Sequence, residues 1–243
     1  MSLAGLDVPA RSALAPERLA GLGSIAASYR LILCDVFGVL HDAERVHPAA
    51  LRALIRARGA GVVVVLVSNS ALPGAALRRS LAARGVGPGV YDAVVTSADV
   101  TRAMLGARMA RRVCHIGPAR EAVLFDGLEV DLTRVEDAEI VVCTGFEEPV
   151  DDEARAARLA TARARDLTLV CTNPDRLAET PTGPVRFAGL IADAYEALGG
   201  RVVLTGKPER SIYVAAVAEA ERIGDSPSKP AASWPSAMRG RWM

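Results

Sequence analysis

The sequence predicts an α/β fold in which a parallel sheet is covered by helices on both faces. Three observations carry this reading. Short apolar runs alternate with longer Ala/Arg/Leu segments of helical period. The apolar runs are unbroken rather than alternating, as expected of strands buried on both faces. Several of them end on polar residues, and ligands in such sheets bind at the carboxyl ends of the strands.

The elements follow in order. The first strand, 30–35, ends on Asp35, ahead of a tight turn at Gly38. A helix over 48–59 begins at Pro48, with a solvated His47 before it. The strand 62–67 is "VVVVLV" and leads into Ser68, Asn69 and Ser70, with Ser70 the expected N-cap of a helix over 72–84. A strand over 92–96 ends at Thr96-Ser97 and precedes a helix over 98–110. The strand 112–116 carries His115, read as a structural histidine. After the strand 139–144, the acidic turn "FEEPVDDE" (146–153) enters a helix over 151–165, whose N-terminus favours those charges. Its acids lack the ligand spacing of a calcium loop. The strand 167–172 ends at Thr172-Asn173, and a helix spans 189–198. The strand 201–205 ends at Thr205-Gly206-Lys207, and a helix over 208–221 has Pro208 at its first position.

Bulk properties exclude several classes. The 243 residues are 51% hydrophobic and 23% charged, which predicts a soluble globule with one large domain or a core plus an insert. A net charge of +1 gives no reason to expect nucleic acid or an anionic membrane as partner. No apolar run has the length of a membrane span, and the N-terminus lacks the basic and apolar blocks of a signal peptide, so the expected location is cytoplasmic. Cys34, Cys114, Cys143 and Cys171 are scattered and read as free thiols in a reducing compartment.

Three stretches carry chemistry. Asp35 in "DVFGVLHD" is a carboxylate at the end of a hydrophobic strand, suited to be a nucleophile or a metal ligand; an ordinary β-turn is the plainer alternative. Ser68, Asn69 and Ser70 bring hydroxyls, an amide and a helix start together, as an anion site does. Lys207 follows a strand and a glycine in a chain with only two lysines, Lys207 and Lys229, and supplies a point charge for phosphate or carboxylate.

Asp35 with "GVLHD", then "SNS", then "TGKP" resemble the first three motifs of the haloacid dehalogenase-like hydrolases. "CTNPD" (171–175) and "GKPERSIY" (206–213) are similar to segments of the class IIA, C2-capped branch of sugar- and nitrophenyl-phosphatase-like enzymes. The resemblance covers about residues 20 to 220 and implies a Rossmann-like core at 1–100 and 191–223 with an inserted α/β C2 cap at 101–190. It implies Mg²⁺ and hydrolysis of a small phosphorylated metabolite, a sugar phosphate, through an aspartyl-phosphate. By match of motif, Asp35 is the nucleophile and a metal ligand, the Phe37 backbone carbonyl is a second metal contact, and Lys207 is the charge clamp. Ser68, Asn69, Ser70 and Gly38 contact phosphate, while Asn173 and Asp175 face the substrate from the cap. Homo-oligomerisation stays open.

Two departures qualify the resemblance. The family places a second Asp two residues after the nucleophile to protonate the leaving group, and here that position is Phe37. General acid–base help is typically worth about 10²–10⁴ in rate, so poor leaving groups should suffer. His41 and Asp42 are the nearby substitutes. The fourth motif should follow a late strand with Gly-Asp and a further Asp, whereas Gly224-Asp225-Ser226 follows a helix and no acid comes after it. The tail 224–243 loses periodicity, and residues 232–243 back-translated in another frame can encode a strand, Gly-Asp and a later Asp. This predicts a frameshift between about 221 and 232, a genuine alternative C-terminus being the other reading. Lost late strands would leave an open sheet edge and a chain with little or no turnover. A non-catalytic phosphate binder and an inactive gene product are the alternatives to a phosphatase.

Overall fold

The computed structural model describes residues 18–42, 44–107, 110–149, 151–180 and 183–224. The tail beyond 224, with Asp225 and the expected change of frame, lies outside them. The first sheet is parallel, in the order β1 (Leu31–Cys34), β2 (Val63–Ser68), β3 (Ala93–Thr96). β2 lies in its middle and is buried along its whole length.

Alternation of side chains across the strand explains how one valine-rich run serves two helix layers. Val63, Val65 and Val67 point to the face covered by α6 (Arg210–Gly224), against Ile212, Ala216 and Ala220. Val64 and Leu66 point to the opposite face, against Leu54 of α1 (Pro48–Gly59) and Leu77 and Leu81 of α2 (Gly74–Ala83). Each fully buried aliphatic contributes roughly 1.5–3 kcal/mol. β1 stands at the open side of this sheet among the described residues, and its four residues are only half-buried.

The second sheet is also parallel, with neighbours β10 (Arg201–Leu204), β7 (Thr168–Cys171), β6 (Ile140–Cys143), β4 (Arg112–Ile116) and β5 (Asp131–Leu132). One face packs on α4 (Asp152–Ala164) and α5 (Ala188–Ala197) through Leu159, Ala162, Ile191 and Tyr195. The other packs on α3 (Ser97–Gly106) through Ala98 and Leu105 and on a 3-10 turn carrying Leu124 and Phe125. An antiparallel hairpin of β8 (Leu177–Thr180) and β9 (Gly183–Arg186) stands apart.

Several expectations need correction. The strand at 201–205 does not rejoin the first sheet: it pairs with β7, Val202 opposite Leu169, and only α6 returns to the β2–β3 face. A short apolar strand fits either sheet, and its place was set by Leu204 and Val202 packing with the α5 cluster. Ser70 is not an N-cap, because the helix starts at Gly74 after Pro73, and the Ser70 hydroxyl instead accepts the Leu72 N–H at 3.1 Å. Pro208 precedes α6 rather than opening it, and that helix runs on to Gly224. β5, β8 and β9 were not anticipated, being short and weakly patterned.

Asp99 fastens the two helices that frame the first sheet's carboxyl edge. Its carboxylate accepts N–H groups of Thr96 at 2.9 Å and Gly74 at 3.0 Å, and completes a capping box at the start of α3. Replacing Asp99 by Ala should therefore cost about 1–3 kcal/mol, read as a lowered urea midpoint at unchanged slope.

Candidate active site

The carboxyl ends of both sheets open on one cleft of ≈ 1260 Å³. Asp35, Phe37, His41, Asp42, Ser68, Asn69 and Ser70 line it from the first sheet. Thr144, Phe146, Asn173, Asp175, Lys207 and the β8–β9 hairpin line it from the second.

Asp35 follows β1 directly. Its Oδ1 accepts the Val36 N–H at 2.8 Å and the Lys207 ammonium, so this oxygen is held and charge-compensated. Oδ2 has no hydrogen-bond partner among the described residues. Cys34 cannot compete as nucleophile: burial, reinforced by the Asp35 charge, pushes its thiol up to about 11. Lys207 also donates to the Val67 carbonyl at 3.2 Å, which ties the ammonium to the end of β2.

Asn69 determines where Lys207 sits. Its Oδ1 accepts the Lys207 N–H at 2.6 Å and its Nδ2 donates to the Lys207 carbonyl at 3.2 Å. The same Nδ2 reaches the Asp175 carboxylate at 3.1 Å, and Asn173 Oδ1 in turn accepts the Asp175 N–H at 3.1 Å. One carboxamide thus joins the end of β2 to the loops after β7 and β10. The approach is close enough to require Gly206, where an added Cβ would lie 2.5 Å from Asn69 Oδ1. Asn69 and Ser68 are both buried, and the Ser68 hydroxyl accepts the Ser70 N–H at 3.2 Å.

The turn after Asp35 uses Gly38 at φ +79°. The Gly38 N–H donates to the His41 carbonyl at 2.8 Å, so it is engaged within the turn rather than offered to a ligand. Phe37 projects into the cleft, 43% exposed, edge-on to the His41 ring at 6.0 Å. Asp42 accepts backbone N–H groups of Arg45 and Glu44, which hold its carboxyl below the usual range and keep it ionised. Of the two substitutes for the missing acid, Asp42 is thereby removed.

The cleft offers few donors for the metal that the resemblance implies. Among the described residues no cluster of three or more His, Cys, Asp or Glu side chains could hold a metal. The Asp35 carboxylate and the Phe37 carbonyl, to which no backbone N–H bonds among the described residues, remain as hard oxygen donors. They fit Mg²⁺, which keeps several waters and takes one or two carboxylates beside substrate phosphate.

Residues of the second sheet went unnoticed as site residues in the sequence. Phe146 stacks under the Arg186 and Arg155 guanidinium groups, at 4.0 and 4.5 Å from the ring centroid. Glu121 has a buried Oε2 without a hydrogen-bond partner, and burial raises its carboxyl. His115, read as structural, does bond Thr144 Oγ1 at 2.8 Å. The fold sets these contacts: His115 on β4 meets Thr144 after β6, and Phe146 meets Arg186 of β9 and Arg155 of α4.

The cleft's elements match known proteins. The family model for haloacid dehalogenase-like hydrolases matches residues 32–131. A solved haloacid dehalogenase-like family hydrolase from Brucella suis 1330 is 40% identical, with TM-score 0.78, over 86% of this chain and 80% of that one. The chain belongs to the haloacid dehalogenase-like hydrolases. A 4-nitrophenylphosphatase from Thermotoga maritima is similar at 25% identity and TM-score 0.66, over 83% of this chain and 76% of that one. A glycerol phosphate phosphatase from Mycobacterium tuberculosis, solved with magnesium, shares the fold at 23% identity and TM-score 0.67. There 81% of this chain covers 60% of the other, so the chain spans less than two thirds of that relative. No curated protein sequence matches the chain.

His115 gives a pH signature. Burial, with the Arg158 charge, lowers it from 6.5 to about 4, so the folded protein favours the neutral ring. That contribution is complete above pH 6.5 and is lost as pH falls from 6.5 toward 4. The melting temperature should drop more steeply across this window in the parent than in His115→Gln.

Proposed function

We propose that the chain is a Mg²⁺-dependent phosphomonoesterase acting on a small phosphorylated metabolite through an aspartyl-phosphate at Asp35. The observation that carries this reading is the Lys207 ammonium on Asp35 Oδ1, beside Ser68 and Asn69, at the carboxyl edge of a parallel sheet. The solved phosphatases of like fold support it.

Asp35 Oδ2 attacks phosphorus while Oδ1 stays fixed by Val36 N–H and Lys207. Lys207 and the Ser68 hydroxyl hold the phosphoryl oxygens, and Asn69 keeps the lysine in place. Bound Mg²⁺ supplies the positive charge that lets a carboxylate approach a phosphate dianion. Asn173 and Asp175 position the remainder of the substrate from the second sheet.

The test is 4-nitrophenyl phosphate hydrolysis with Mg²⁺. Asp35→Asn should abolish it, Lys207→Ala should lower kcat/KM by roughly 10²–10³, and chelation should remove activity in the parent. Silence of the parent, together with a melting shift by inorganic phosphate that Lys207→Ala abolishes, would establish a phosphate binder instead.

A further inference from the structure

The cleft constrains the leaving group, an inference that rests on the phosphomonoesterase reading. Two features of the cleft set this constraint. The first concerns protons. Where a carboxylic acid would serve the departing oxygen, Phe37 presents a ring that can donate none. Asp42 is fixed as a charged acceptor by two backbone N–H groups. Asp175 is engaged by Asn69 and lies on the second sheet's loop, and Glu121, on the 3-10 turn Ala119–Phe125, belongs to the same side of the cleft. Glu147 and Glu148 are paired with Arg158 and Arg120. The His41 Nδ1 lies 2.8 Å from the Asp42 carbonyl, so the neutral ring keeps its proton there and offers only an acceptor at Nε2. Asp35 itself is the nucleophile, and Lys207 is engaged with it and with the Val67 carbonyl.

The second concerns the wall. Phe37, Leu177 and Val185 are 43%, 55% and 41% exposed, and all three line this one cleft. Apolar side chains left open inside a cleft mark a ligand that covers them, and a fully hydroxylated one would leave them wet. Phe37 stands two residues from the nucleophile, so the group it faces is the one attached to phosphorus.

We infer that the substrate is a phosphate monoester whose leaving oxygen is stabilised by its own π-system, an aryl or enol phosphate, rather than a phosphorylated sugar hydroxyl. In the first step the Asp35 Oδ2–P bond forms and the bond from phosphorus to the leaving oxygen breaks. The electron pair stays on that oxygen, which departs as an anion and takes its proton from solvent. Water then attacks phosphorus, the bond to Oδ2 breaks, and Asp35 is regenerated with phosphate released and a proton passed to solvent. No side chain need donate a proton in the first step, and none at position 37 assists the second, so the aspartyl-phosphate accumulates.

The experiment uses the full chain with Mg²⁺ and a series of esters: 4-nitrophenyl, phenyl and glycerol phosphate. Expected are a burst of nitrophenolate equal to the enzyme, a phosphoryl adduct on Asp35 by mass spectrometry, and kcat/KM falling by about 10²–10⁴ from the nitrophenyl to the glycerol ester. Phe37→Asp should flatten that dependence by raising the glycerol ester, while Phe37→Asn, similar in shape but with no proton to give, keeps it steep. A shallow dependence in the parent overturns the inference and leaves the phosphatase reading standing. If that shallow dependence steepens in His41→Ala or Glu121→Gln, the side chain removed is the donor. No release and no adduct with any ester overturns both readings together.

Discussion

The Asn69 carboxamide is the contact on which the rest of the cleft depends. A single buried amide accepts from one backbone group of Lys207, donates to another, and donates to the Asp175 carboxylate. Buried amides are costly when unpaired, so the two loops of the second sheet are drawn to the end of β2 by the need to satisfy it. Lys207 arrives at Asp35 because its backbone is fixed, and its long side chain then has only to reach a carboxylate and the Val67 carbonyl. Gly206 follows from the same demand, since no Cβ fits where the loop passes Asn69.

Around this clamp the two sheets divide the work. The first sheet brings Asp35, Ser68 and Asn69 on strand ends that the β2 valines hold between α6 and the α1–α2 layer. The second sheet brings Lys207 and Asp175 on its loops, and the hairpin that stands apart from both sheets adds apolar surface. Buried threonines reinforce the junction: Thr101 of α3 bonds Thr205 at 2.9 Å, and Ser97 bonds the Thr172 carbonyl.

Phe37 shows how a local departure reads differently in context. As a residue type it signals a lost proton donor. In the fold it is half-exposed, backed by the His41 ring, with a carbonyl that accepts no backbone N–H among the described residues. The turn that carries it is intact: Gly38 has its positive φ, the Gly38 N–H bonds the His41 carbonyl, and Leu40 is fully buried. A side chain at 37 can therefore be exchanged without disturbing the backbone of the turn.

The α/β class, the order of the longer strands and the residues Asp35, Ser68, Asn69 and Lys207 were legible in the sequence, because burial on both faces and polar strand ends leave marks within a few consecutive residues. Strand membership was not legible. The run at 201–204 looked like a strand of the first sheet and is one of the second, since an apolar tetrapeptide does not state its neighbour and the packing of Val202 and Leu204 decides it. Ser70 looked like a cap until Pro73 and the reach of Asp99 set the helix start elsewhere. The clamp through Asn69 and the stack of Phe146 on Arg186 join segments about 40 to 140 residues apart, and only the folded chain brings such segments together.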